Sequence, residues 1–162
     1  MKQISGTGKY QENSTFMAML KACAKKKDIC EGTRLHAYIL KEGLLEKSPY
    51  LGSSLISMYT KCGVLSKAQQ VLEELPIRDI VCWNALITGY AQHGQCHNAI
   101  SCFDRMQGDD GLSPNEVTFI CILKACGSTG SIEIGKQIHD KILSMGLLEK
   151  YVMLGTALVD MY

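Results

Sequence analysis

The sequence predicts an all-α array of stacked antiparallel helix pairs, an α-solenoid, and three observations predict it. The chain repeats itself at an offset of 103 residues: Thr15–Cys23 reads TFMAMLKAC and Thr118–Cys126 reads TFICILKAC, and 21 of 45 aligned positions from Thr15–Tyr59 against Thr118–Tyr162 are identical. Unrelated segments of that length share roughly three. Apolar residues recur at i, i+3, i+4 and i+7, interrupted by glycines. Only three prolines and 7% aromatics accompany a 46% apolar content, which suits helices with a continuous core. A repeated unit that cannot bury its apolar face alone stacks on its neighbours and presents an extended binding surface.

The helices are expected in pairs. The first pair is Ser14–Cys23 and Glu31–Glu42, joined by a polar turn from Ala24 through Lys25-Lys26-Lys27 to Asp28. The second is Leu51–Lys61 and Ser66–Leu75, separated at Gly63, with Ser66 as N-cap. The third is Val81–His93 and His97–Met106, broken at Gly94; the fourth is Val117–Cys126 and Ile132–Met145, and Val152 opens half of a fifth. Pro76 and Pro114 stand at exits, where proline stops a helix. Phe16, Met19, Leu20 and Cys23 form one apolar stripe; Leu55, Met58, Tyr59 and Cys62 form another; Trp83, Leu86, Ile87 and Tyr90 form a third. Solenoid core accounts for all three without a cofactor.

The super-repeat subdivides into units 13–48, 49–79, 80–115 and 116–151, of 36, 31, 36 and 36 residues, after a 1–12 extension or end of a preceding repeat and before a partial unit at 152–162. That makes about four and a half repeats. The first three units together make the 103-residue offset. A tetratricopeptide array holds near 34 residues per unit, and three alternating unit types do not fit it.

The formal charge of +1 announces no nucleic acid by itself. No apolar run reaches the roughly 18 residues a membrane span needs. The eight cysteines contain no Cys-x-x-Cys, which argues against a disulfide framework and a zinc site. Cys23 and Cys126 share a repeat position inside apolar runs, where a thiol packs as a small hydrophobe; a reducing compartment fits. Met1–Asn13 shows no signal or transit pattern. Tyr162 falls inside an apolar segment whose counterpart continues as Thr60-Lys61-Cys62-Gly63, so the sequence reads as a fragment of a longer array.

Several motifs resemble those of plant pentatricopeptide repeat (PPR) proteins of the PLS class, in which long, short and standard repeats alternate. Residues 79–90, DIVCWNALITGY, are similar to the start of a standard P motif. Residues 57–63, SMYTKCG, with Ala68 and 75–79, LPIRD, resemble a short S motif. Leu123-Lys124-Ala125-Cys126 with 135–139, GKQIH, resembles a long L motif. The likeness covers Asn13–Tyr162. It implies a right-handed α-solenoid that binds single-stranded organellar RNA about one base per repeat, in a mitochondrion or chloroplast, within a cytidine-to-uridine editing specificity factor and with editing-complex proteins as further partners. Neither a cofactor nor a small-molecule substrate nor a membrane is implied.

In the family, the fifth and last residues of a motif read the base edge, and the second packs on the base face. The resemblance therefore assigns Asn84 and Asn115 as a pyrimidine-preferring pair with Val81 packing beside them, and Ser53 and Asp79 as a guanine-leaning pair with Tyr50. Thr156, in the partial unit, hints at a purine. With repeats running along the RNA from 5′ to 3′, guanine followed by a pyrimidine is implied. The long units depart from the code: Met17 with Ser48, and Ile120 with Tyr151, put apolar side chains where a donor is needed. They are expected to space the array.

Catalysis is not expected from this segment. A deaminase needs His-x-Glu with Cys-x-x-Cys, and no histidine here is followed by x-Glu. No metal site is expected either: His36 and His139 occupy equivalent positions and read as hydrogen-bonded repeat residues. Asp109-Asp110 reads as a solvated loop, and Lys25-Lys26-Lys27 as a solvated basic turn with phosphate contact as the sharper alternative. The rival to RNA recognition is a protein-binding α-solenoid scaffold.

Overall fold

The computed structural model describes residues 7–162, with side chains from Glu12 onward. Among the described residues every regular element is a helix: α1 Thr7–Lys26, α2 Ile29–Lys41, α3 Pro49–Lys61, α4 Leu65–Glu74, α5 Ile80–Gln92, α6 Cys96–Gly108, α7 Glu116–Thr129, α8 Ile132–Ser144, α9 Leu147–Lys150 and α10 Val152–Met161. They divide into two compact units that meet in sequence at Arg78 and Asp79.

In the first unit, α1 and α3 pack side by side as one layer, and α2 and α4 close the other side. Leu20, Ile39, Leu51, Leu55, Ile56, Met58, Tyr59 and Leu72 are fully buried between the layers. The α2–α3 contact is close because residue 32 is glycine: a Cβ there would stand 2.5 Å from the Met58 sulfur. In the second unit α5, α7 and α10 form the first layer, with α6 and α8 behind them. Trp83, Leu86, Ile87, Phe119, Ile122 and Leu123 fill its core. Gly135 approaches the Met161 thioether there, the same glycine–methionine pair one super-repeat on. The predicted helix-repeat architecture is thus present in each unit.

Several boundaries differ from the sequence expectation. Helix α1 starts at Thr7 and runs through Lys25 and Lys26. Lysine is a good helix former and a cation favours the negative end of the helix dipole, so the basic segment extends the helix. The turn shrinks to Lys27, which adopts a left-handed conformation at φ 55°, while the Asp28 N–H reaches back to the Cys23 carbonyl at 2.9 Å. Asp28 then caps α2 by accepting from the Glu31 N–H. Of the 1–12 segment, residues 7–12 belong to α1 and residues 1–6 lie outside the described residues. Ser66 is not an N-cap: Val64 holds that place and Ser66 is already in the first turn of α4. The short helix α9 was not expected; its repeat counterpart, residues 44–47, is a turn.

Candidate nucleic-acid interface

Two first-layer helices, α5 and α7, begin with side-chain caps, and those caps, Asp79 and Asn115, are among the predicted base readers. Asp79 caps α5, its Oδ1 accepting from the Cys82 N–H at 2.8 Å. Asn115, following Pro114, caps α7 as its sequence position predicts, its Oδ1 accepting from the Thr118 N–H at 3.1 Å. In return the Asn115 N–H donates to the Thr118 hydroxyl at 3.2 Å, completing a capping box.

Asn84, in the second turn of α5, joins this box. Its Nδ2 donates to Asn115 Oδ1 at 3.1 Å, and its Oδ1 accepts from the Thr118 hydroxyl at 2.7 Å. The second unit therefore brings Asn84 and Asn115 together directly. The amide orientations follow from the bonding pattern. A backbone N–H can only donate, so the Asn115 atom facing Thr118 N is oxygen. The Asn84 atom facing that oxygen must then be nitrogen, which leaves the Asn84 oxygen to the Thr118 hydroxyl. That hydroxyl also lies 2.9 Å from Asn115 Oδ1, a second acceptor for its one hydrogen. Asn84 is 9% exposed and Thr118 fully buried, while Asn115 is exposed.

Thr118 was missed as a site residue by sequence reasoning. Its signal was the spacing Asn115-x-x-Thr118, a capping-box pattern with threonine in place of the usual Glu or Gln.

The residues expected to pack on bases are exposed apolar side chains: Val81 is 53% exposed at the start of α5, and Tyr50 66% exposed at the start of α3. Val117 and Met153 hold the corresponding places on α7 and α10 and are exposed as well. Thr156 is exposed on α10. Ser53 is half-buried on α3, with its hydroxyl donating to the Tyr50 carbonyl at 3.1 Å; Asp79, in the other unit, is half-buried too. In the long units Met17, Ile120 and Tyr151 are half-buried and Ser48 is buried.

The remaining polar groups are used in packing. His36 Nδ1 lies 2.9 Å from the Tyr59 hydroxyl and His139 Nδ1 lies 3.0 Å from the Tyr162 hydroxyl, so the hydrogen-bonded reading of the two histidines holds. Burial pushes the His36 imidazole below its ordinary pKa, with the Glu74 carboxylate pulling the other way. Asp110 is not merely solvated: its Oδ2 accepts from the buried Trp83 indole N–H at 2.7 Å. Asp109 pairs with Arg105 at 3.4 Å. Cys23 and Cys126 are buried as expected. Burial pushes the Cys82 and Cys126 thiols up to about 12, helped at Cys126 by the Cys96 sulfur 3.8 Å away. Among the described residues no three His, Cys, Asp or Glu side chains are grouped to hold a metal ion.

Comparison with known proteins agrees with these repeats. Two family models match, one described as PPR repeat family over residues 78–128 and one as PPR repeat over residues 53–80. A chloroplastic pentatricopeptide repeat-containing protein of Arabidopsis thaliana is 40% identical over 99% of this chain and 26% of its own length. A mitochondrial one from the same plant is 34% identical over 100% of this chain and 27% of its own length. A third, chloroplastic, is 39% identical over 94% of this chain and 18% of its own length. The chain spans about a quarter or less of these relatives' length. With helix pairs, matching repeat models and similarity along nearly the whole of this chain in agreement, the chain belongs to the pentatricopeptide repeat family.

Proposed function

We propose that this chain is a base-reading segment of an RNA-binding protein, in which Asn84 and Asn115 recognise one pyrimidine of a single-stranded RNA. The observation that carries this reading is the direct amide–amide contact between two side chains that lie 31 residues apart in sequence. Two carboxamides fixed against each other beside an exposed apolar side chain, Val81, supply hydrogen-bonding groups for a base edge and a surface for its face. A mismatched base leaves those amides unpaired, at a cost of about 1–3 kcal/mol.

The unit boundaries 13–48, 49–79, 80–115 and 116–151 serve this reading as long, short, standard and long repeats. Ser53 and Asp79 with Tyr50, and Thr156 in the partial unit, are proposed as further readers, with guanine preceding the pyrimidine. The chloroplastic and mitochondrial relatives support an organellar location and an organellar RNA as partner. Within a longer protein the segment serves as a specificity factor for cytidine-to-uridine editing, acting as a non-enzymatic adaptor that presents the RNA to editing-complex proteins. The experiment is a binding comparison of short single-stranded RNAs carrying guanine–pyrimidine with the same RNAs after those bases are exchanged. Preference for the first set at matched salt supports base reading. Equal binding of both sets favours a protein-binding scaffold.

A further inference from the structure

We infer that Thr118, in the long unit that carries no reader of its own, is a positioning residue that sets the hydrogen-bonding polarity of the Asn84/Asn115 pair. This rests on the base-reading proposal above and adds its mechanism. An asparagine amide can turn over and exchange its donor and acceptor faces at small cost when nothing holds it. A reader free to do so pairs equally with donor-rich and acceptor-rich base edges and discriminates poorly.

Two groups of one residue remove that freedom. The Thr118 N–H takes Asn115 Oδ1, and the Thr118 hydroxyl donates to Asn84 Oδ1. The hydroxyl oxygen accepts from the Asn115 N–H at 3.2 Å, and its one hydrogen has two acceptors, Asn84 Oδ1 at 2.7 Å and Asn115 Oδ1 at 2.9 Å, of which Asn84 is the nearer. Asn84 Nδ2 closes the ring onto Asn115 Oδ1. Both amide oxygens are therefore held within the protein. One N–H of Asn84 and both N–H bonds of Asn115 have no protein acceptor among the described residues. Asn115 is exposed, so the pair offers donors to a ligand.

A donor-presenting pair suits a base edge rich in acceptors. Cytosine offers N3 and O2, and uracil offers O2 and O4, whereas guanine turns N1–H and N2–H toward the reader and brings donor against donor. Guanine is the base this ring rejects most strongly. The neighbouring capped helix lacks the ring's hydroxyl: the residue equivalent to Thr118 on α5 is Cys82, which meets its cap, Asp79, through the backbone N–H.

The test measures binding of single-stranded RNAs differing only by uracil or guanine at one position, for the wild-type chain, Thr118→Val, Thr118→Ser and Asn84→Ala, with and without Thr118→Val. The wild type prefers uracil. Thr118→Val keeps the volume and the N–H but loses the hydroxyl, and is expected to lower the uracil-to-guanine ratio by roughly tenfold. Thr118→Ser restores it. Thr118→Val has no further effect on the ratio once Asn84 is alanine. Unchanged discrimination in Thr118→Val overturns the role of Thr118 and leaves base reading standing. Absence of discrimination in the wild type overturns base reading itself, and this inference with it. Should Thr118→Val unfold, proton NMR of the wild type decides: the Asn84 carboxamide protons should exchange more slowly than those of a free asparagine. Exchange at the free rate overturns the inference.

Discussion

His36 Nδ1 lies 2.9 Å from the buried Tyr59 hydroxyl, and the same two residue types meet 103 residues later at His139 and Tyr162. In both places the rings meet edge to face, with centroids 5.5 and 5.9 Å apart. The two copies differ in burial, Tyr59 being fully buried and Tyr162 exposed. Glu74 stands 3.7 Å from His36 Nε2, too far for a hydrogen bond, so the Tyr59 hydroxyl is the hydrogen-bond partner this buried ring has among the described residues.

Tyr59→Phe should therefore cost about 1–3 kcal/mol by leaving a buried imidazole nitrogen unpaired. Tyr162→Phe should cost well under about 1 kcal/mol because water replaces the lost hydroxyl. Urea unfolding of both variants measures the difference.

The same site makes a pH prediction. Burial holds the folded-state His36 pKa below the ordinary 6.5, so the unfolded chain binds its proton first as pH falls. Stability from this residue is present above 6.5 and declines as pH drops below it. Unfolding free energies measured down through that range should show the decline, and His36→Gln should flatten it.

Lys27 and Gly130 are equivalent positions, and both adopt left-handed backbone, at φ 55° and 67°. Glycine accepts that conformation freely and lysine does not. Lys27→Gly should raise stability by about 0.5–1 kcal/mol despite the added freedom of the unfolded chain, visible as a higher urea midpoint.

Two helical glycines should respond to alanine in opposite directions. At Gly32 the new methyl meets the Met58 sulfur at 2.5 Å in a filled core, and overpacking costs about 1–3 kcal/mol. At Gly155 nothing lies within 4 Å, so alanine should add up to about 1 kcal/mol from helix propensity. Thermal unfolding of the pair checks both signs.

Alkylation should separate the cysteines. Cys82 and Cys126 are buried with thiols pushed up to about 12, and the thiolate is the reactive form. Cys30 is exposed. With iodoacetamide near neutral pH, mass spectrometry should find Cys30 modified first and Cys82 and Cys126 only after unfolding.

The helix pairs were legible because glycine breaks and apolar periodicity act within a few residues of one another. The stripe Trp83, Leu86, Ile87 and Tyr90 turned out to be a buried face of α5, and the asparagine after Pro114 turned out to be a cap. What escaped depends on contacts across helices. The partner of Asp110 is an indole 27 residues away, and nothing in a Gly-flanked Asp-Asp pair announces it. Thr118 stands at the head of the repeated TFICILKAC stretch, and its hydroxyl gains meaning only when α5 brings Asn84 beside it. Lys25 and Lys26 misled because charge suggests a turn, while their place at a helix C-terminus favours continuing the helix.

The most direct test of the central claim is base-resolved RNA binding by the wild-type chain and Asn84→Ala across a salt series. If Asn84 reads a base, the wild type prefers a pyrimidine at one position, and the variant loses that preference while keeping the same salt slope, because phosphate contacts are untouched. Identical base preference in the two proteins, or a variant that weakens binding to every RNA equally, would contradict it.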